Sequence, residues 1–292
     1  MKKRRINKAI ELLEQGQPVY YDSTSTFTYE NGKAMASTWA DYIRLDLEHG
    51  AFDMAGVDQF MRGLVDGGPT RSGHRTPAVI AELPFDGSSR EVVVANAWIA
   101  KQLLARGVHG LILCHAESPE GVQALIESIR YPLQPSDPTG RLGIGLRGHG
   151  GEKNAANIWG VEQKEYMFLA DPWPLNPEGE LLIGVKMENR RAAERCVETA
   201  SVPGLAFGEW GLGDMALSYG YAEKPSFPLP PELEEVRTKI WNACKEAGLY
   251  FLGIVTPETV TSLIDRGMRL CRAYDPKAAE IGRRYTNLKD YS

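Results

Sequence analysis

Val108-His-Gly-Leu-Ile-Leu-Cys114 is a short, nearly continuous apolar run, preceded by the helical pattern Val93–Ala105 and followed, after a few polar residues, by another at Pro119–Ser128. A strand that is apolar at consecutive positions is buried on both faces, as in a parallel sheet covered outside by helices and filled inside by side chains. The same alternation repeats outward from this unit. Candidate strands fall at Val19–Ser23, Tyr42–Leu47, Ala78–Leu83, Val108–Cys114, Leu181–Met187, Gly204–Gly208, Tyr250–Val255 and Arg269–Tyr274, with further helical patterns at Arg190–Thr199 and Pro231–Ala247. Eight strands alternating with helices over 292 residues predict an α/β fold, a (β/α)8 TIM barrel forming a single domain over residues 1–292. Gly107 and Gly248 stand just before strands, where a helix ends and positive φ is often needed.

Residues 131–179 break the pattern. Pro132, Pro135, Pro138, Pro172, Pro174 and Pro177 share this stretch with a group of glycines, and Trp159, Tyr166, Phe168 and Trp173 are available to pack it. It is expected to be a long ordered excursion before the fifth strand, acting as a lid or a subunit contact. A C-terminal helical segment is expected over 276–292, its basic run Arg283–Lys289 reading as a solvated helix end or subunit contact.

Composition narrows the function classes. Hydrophobic residues make up 43% and charged residues 24%, a globular balance that excludes a mainly disordered or fibrous chain. The formal charge of −5 argues against nucleic acid or anionic lipid as partner, and the basic cluster at residues 2–5 is too short to reverse that. No apolar run reaches the roughly 18 residues of a membrane span, and Met1-Lys-Lys-Arg-Arg-Ile leads into a mixed segment, so neither spanning nor export is expected. Cys114, Cys196, Cys244 and Cys271 are scattered without a CxxC pair, as for free thiols in a reducing compartment, and a cytoplasmic location is expected.

Two constellations carry chemistry. In Arg44-Leu-Asp-Leu-Glu-His-Gly50 the two-residue strand period puts Asp46 and Glu48 on one side, with His49 at the carboxyl end of the strand, where barrel active sites are built. A carboxylate beside an imidazole fixes its tautomer and suits proton abstraction near neutral pH. The same segment also fits a strand end with solvated charges. The second constellation is split between Val185-Lys-Met-Glu-Asn189 and Gly208-Glu-Trp-Gly-Leu-Gly-Asp214, each placing a carboxylate just after an apolar strand. Glu188 and Asp214 would make a hard oxygen site suited to Mg²⁺ or Mn²⁺; pairing of Glu188 with an arginine and helix capping by Asp214 are the alternatives. The glycine clusters at 143–151 lack the strand–GxGxxG–helix context of a nucleotide site.

Asp46-x-Glu48-His49-Gly50, the strand-end Glu188 and Gly208…Asp214-Met-Ala-Leu-Ser218-Tyr-Gly220 resemble the HpcH/HpaI family of class II pyruvate aldolases in the pyruvate/phosphoenolpyruvate barrel superfamily. Lys101–Val108, Ala116–Gly121, Arg147-Gly-His-Gly…Asn157-Ile-Trp-Gly160 and Gly253-Ile…Leu263-Ile-Asp-Arg-Gly267 follow in family order, so the likeness runs from about Asn7 to Asp275. It implies a carbon–carbon lyase in which Glu188 and Asp214 hold a divalent metal, Mg²⁺, Mn²⁺ or Co²⁺. A 2-oxo or hydroxy acid would chelate the metal, with an aldehyde as second partner, and the enolate would be stabilised. It further implies that His49, oriented by Asp46, moves the proton, that Glu48 orders waters, and that the protein assembles as a homo-oligomer, dimer to hexamer. Arg147, Gly208, Glu209, Glu82 and His115 are the candidates for substrate contact.

Two departures are visible. Relatives carry an Arg before a Pro on the third strand to clamp the oxo-acid carboxylate, where this chain has Glu82-Leu83-Pro84, leaving Arg90, Arg147 and Arg44 as candidate replacements. His115 follows the fourth strand where relatives are apolar, and His149 borders the site by resemblance; His74 and His109 read as surface or packing residues. A different metal–enolate reaction, such as decarboxylation, hydration or thioester cleavage, and a non-catalytic binding barrel are the rival readings.

Overall fold

The computed structural model describes residues 4–286. The eight strands that line the barrel are Val19–Thr24, Tyr42–Asp46, Ala78–Asp86, Gly110–Cys114, Leu181–Lys186, Phe207–Glu209, Tyr250–Val255 and Leu270–Ala273. All pair in parallel, each with its neighbours in chain order; the first pairs the eighth (Val19 with Leu270) and the fourth pairs the fifth (Gly110 with Leu182), which closes the sheet. Every strand predicted from sequence is present. Helix ends are set by local chemistry: Ser89 and Ser118 accept backbone N–H bonds at the starts of Arg90–Ala105 and Pro119–Ile129, and Gly107 and Gly248 sit at φ 86° and 74°. The helical pattern at 190–199 is broken into Arg190–Glu194 and Cys196–Ala200.

One apolar layer, including Ile43, Leu45, Val79, Leu111, Ile183 and Val185, faces the outer helices. A second fills the interior, and its floor is the helix Lys8–Glu14, whose Ile10 and Leu13 pack beneath Val19, Tyr42, Ile112 and Leu270. Asn7 caps that helix and donates to His109 O and Glu180 O, pinning it across the amino ends of the strands. The floor is therefore apolar and sealed, which leaves chemistry to the opposite, carboxyl mouth.

The excursion is ordered, but it does not cover that mouth. Its helices Glu152–Trp159 and Gln163–Leu169 lie on the flank: Trp159 stacks on His109 at 5.3 Å between ring centroids and donates to Gly107 O, at the amino end of the fourth strand. A lid over this chain's own site is thereby corrected. The C-terminal helix is Pro276–Tyr285; the rest of the basic segment at 287–292, and residues 1–3 of the amino-terminal one, lie outside the described residues.

His109 is fully buried, and its Nδ1 accepts the Val79 N–H. Burial, with a smaller contribution from His74, drives the imidazole down to about 3. Between that value and its unfolded value near 6.5 the unfolded chain binds more protons, so stability falls as pH falls through this window. This group alone should contribute a slope of about 1.4 kcal/mol per pH unit in urea unfolding between pH 6 and 4. His109→Gln, which keeps an acceptor, should flatten that slope; an equal slope in both proteins would refute the assignment.

Candidate active site at the carboxyl mouth

A cavity of about 240 Å³ opens at the carboxyl ends of the strands, with Asp46, His49, Glu82, Lys186, Glu188 and Asp214 among its walls. Asp46 is the last residue of the second strand and turns the chain by accepting the His49 N–H at 2.9 Å. The His49 ring Nδ1 lies 3.3 Å from Asp46 Oδ1 and 3.6 Å from Glu48 Oε2. With Nδ1–H directed at these carboxylates, Nε2 is left as the basic nitrogen. Burial raises the Asp46 carboxyl, but the backbone N–H and ring of His49 outweigh it and hold the group below the usual range.

Glu188 is fully buried beyond the end of the fifth strand. Its Oε1 accepts the His115 N–H at 3.0 Å, and its Oε2 has no hydrogen bond, facing Lys186 Nζ at 3.1 Å. Gly211 makes this placement possible, since a Cβ there would stand 2.2 Å from Glu188 Oε2. Asp214 lies in the first turn of the helix Leu212–Ser218, which has no side-chain cap, so it is free to face the cavity. Ligand atoms of Glu188, Asp214 and His115 lie within 4.8 Å of one another. The two carboxylates expected to meet do lie together. His115 joins them through a backbone at φ 42°, a conformation a non-glycine residue rarely adopts without surrounding constraint.

Three carboxylates, of which Glu82 and Glu209 are buried and Glu48 is partly so, and the two buried cations Arg44 and Lys186 form the wall behind this group. Arg44 donates to Glu82, to Tyr21 Oη at 2.9 Å, and lies 2.8 Å from Glu209 Oε2. Lys186 bonds Glu48 and stands 3.4 Å from Glu82. Burial alone would lower the Lys186 ammonium, but the surrounding Cys114, Glu188, Glu209 and Glu82 reverse this and raise it, so it is a cation here. Burial lifts Glu188 above the ordinary carboxylate range against the pull of Lys186, with Glu48 adding to the rise.

Other expected residues are placed differently. Gly208 is inside the sixth strand and faces outward; a Cβ there would meet Cys244 Sγ at 2.6 Å, so it serves helix packing and not substrate contact. Glu209 completes that strand, and the chain turns at Trp210 and Gly211 into the helix Leu212–Ser218. Arg147 is outside the cavity. Its guanidinium stacks over Tyr131 and Tyr166 at 4.5 and 5.4 Å, and it lines a separate depression with His149. Arg90 is taken by Glu127, so of the three candidate replacements only Arg44 reaches the cavity. His74 is buried against Ser72 and Glu11. The four cysteines are free and buried. Among the described residues no helix is long and apolar enough to cross a membrane.

Lys186 is the residue that the sequence reading missed. The signal was present, because period two puts Lys186 on the same face of the fifth strand as Glu188.

No family model matches the chain. It is 27% identical over 198 residues to a hydroxypyruvate/pyruvate aldolase of Sagittula stellata, an alignment covering 66% of this chain and 62% of that protein. The chain therefore spans less than two thirds of that relative's length. An HpcH/HpaI aldolase/citrate lyase family protein from Burkholderia cenocepacia superposes with a TM-score of 0.68 at 20% identity, covering 97% of this chain and 98% of the other. The citrate lyase beta subunit from M. tuberculosis, complexed with oxaloacetate and magnesium, superposes with a TM-score of 0.55 at 16% identity, over 92% and 96% of the two chains. The curated relatives are aldolases, and the structural neighbours are HpcH/HpaI aldolase/citrate lyase proteins sharing this TIM barrel.

Proposed function

We propose that this chain is a divalent-metal-dependent carbon–carbon lyase acting on a 2-oxo acid, with Glu188 and Asp214 as the metal-holding carboxylates. The observation that carries the reading is the meeting of Glu188, Asp214 and His115 beside the Asp46–His49 pair, at the open end of the barrel. The donor set fits a cation: two carboxylates, one with a buried oxygen that lacks a hydrogen bond, and an imidazole. Oxygen donors suit Mg²⁺ or Mn²⁺, and a nitrogen from His115 would shift the preference toward Mn²⁺ or Co²⁺. Bound there, the ion supplies Lewis-acid polarisation of a carbonyl oxygen.

The chain's own residues do the rest. His49 Nε2 accepts or returns the proton, and Asp46, bonded to the opposite nitrogen, keeps the ring in that tautomer. Glu48 bonds Lys186 and lies near His49, so its role is to hold these two groups more than to order water. Glu82 and Glu209 hold Arg44, while Lys186 contacts Glu188, one of the two metal-holding carboxylates. An aldehyde as second substrate, an assembly of copies and a cytoplasmic setting belong to the same reading.

The test is exchange of pyruvate methyl protons with deuterated water, followed by proton NMR. Exchange that requires Mn²⁺ or Mg²⁺ and disappears in Asp214→Ala is expected. Exchange that proceeds unchanged in Asp214→Ala would remove the metal assignment.

A further inference from the structure

Lys186 places a fixed positive charge inside the group of carboxylates that a divalent ion would occupy. Its ammonium bonds Glu48, stands 3.4 Å from Glu82 Oε1 and lies 3.1 Å from Glu188 Oε2, the one Glu188 oxygen without a hydrogen bond. Its side chain is only 6% exposed. An ammonium so buried carries a desolvation penalty that an apolar residue at the same strand position would avoid. Arg44 divides its single charge between Glu82 and Glu209, so among the described residues Lys186 is the ammonium that faces Glu48 and Glu188. The cation lies one carboxylate away from the group Glu188, Asp214 and His115.

We propose that Lys186 is a resident cation that competes with the divalent ion for Glu188 and thereby ties ion binding to the arrival of an anionic oxo acid. The inference rests on the metal reading given above. Like charges at such range in a low-dielectric pocket repel strongly, so the ion alone binds weakly. A bound carboxylate places negative charge between the two cations and relieves that repulsion. Metal and oxo acid then strengthen each other's binding by the same factor, as linkage requires. Lys186 thus takes over the place of the missing third-strand cation by a different route: it faces the substrate's charge only when the ion is also present. It is a positioning residue and takes no part in bond making.

Titration calorimetry with Mn²⁺, in the absence and presence of pyruvate, tests this on the whole chain. Lys186→Gln keeps polar contacts to the carboxylates, and Lys186→Met removes them; using both guards against one variant failing to fold. Both should bind Mn²⁺ alone at least tenfold more tightly than the unsubstituted protein, and the factor by which pyruvate tightens Mn²⁺ should shrink in both. Mn²⁺ affinity that is unchanged or lower in the folded lysine variants overturns the inference. Asp214→Ala separates the two readings: if it loses Mn²⁺ while the lysine variants match the parent, only the role of Lys186 fails. If Asp214→Ala binds Mn²⁺ as well as the parent, the metal site itself is misplaced.

Discussion

Glu188→Gln should abolish Mn²⁺ or Mg²⁺ binding and lower pyruvate proton exchange by about three orders of magnitude, roughly 4 kcal/mol of barrel-mouth electrostatics, while leaving the fold intact. The fold should survive because Lys186 keeps Glu48 and Glu82 as partners, and because the amide still offers an oxygen to the His115 N–H. Gly211→Ala offers an independent route to the same effect. The Gly211 backbone, at φ −77°, accepts any residue without strain, so the harm is steric: a Cβ would come within 2.2 Å of Glu188 Oε2 and 2.7 Å of its Cβ. Glu188 would have to leave its place beside Asp214. Exchange measured by NMR should fall at least tenfold in Gly211→Ala, with far-ultraviolet circular dichroism unchanged. Parental exchange rates in both variants would detach Glu188 from the chemistry.

The barrel was legible because its signals are local. Each strand announces itself by an apolar run and a turn residue, as at Gly107 before Val108, and strand ends can be read without knowing what they pair with. The meeting of Glu188 with Asp214 followed from the same logic, since residues just past consecutive parallel strands emerge at one end of the barrel. Pairing across the interior is a different matter. Glu82 read alone is an anion standing where relatives have a cation; only register, with Asp46 opposite Glu82 and Lys186 opposite Glu209, shows that Arg44 and Lys186 converge on it. A lone lysine in an apolar strand forms no motif, so Lys186 passed unnoticed.

The misplaced residues share a second cause. Arg147 and Gly208 are expected at the site through the family resemblance of the segments that carry them. Arg147 belongs to an excursion anchored at the barrel's amino end through Trp159, and the aromatic rings of Tyr131 and Tyr166 hold its guanidinium there. Gly208 alternates with two inward residues, Phe207 lying deeper on its strand and Glu209 following it, so period two turns it outward toward Cys244. The pattern that finds a strand is a better guide to which way a residue faces than its distance along the chain from a motif.

Arg44→Met should destabilise the protein by about 3–5 kcal/mol, because it strands Glu82 and Glu209 inside the barrel without their shared counter-ion. For a chain of this size that is a fall in Tm on the order of 10 °C. The deficit should also depend on pH in a defined sense. Desolvated, and left with Lys186 as the remaining nearby cation, both carboxyls would have folded-state pKa values above those of the unfolded chain, so the folded variant takes up protons and regains stability as pH falls. Urea unfolding should therefore show a larger gap between variant and parent at pH 8 than at pH 5. Glu82→Arg follows the same physics. Judged against relatives, it restores the usual cation and would be expected to improve oxo-acid binding. In this barrel it would replace the carboxylate shared by Arg44 and Lys186 with a guanidinium that repels both, so loss of stability without gain in pyruvate affinity is expected. The exchanged pair Arg44→Glu with Glu82→Arg keeps one charge of each sign and should recover part of the loss, giving a coupling energy of about 1–3 kcal/mol in the double-mutant cycle. An Arg44→Met protein as stable as its parent at pH 8 would mean that these carboxylates do not depend on Arg44.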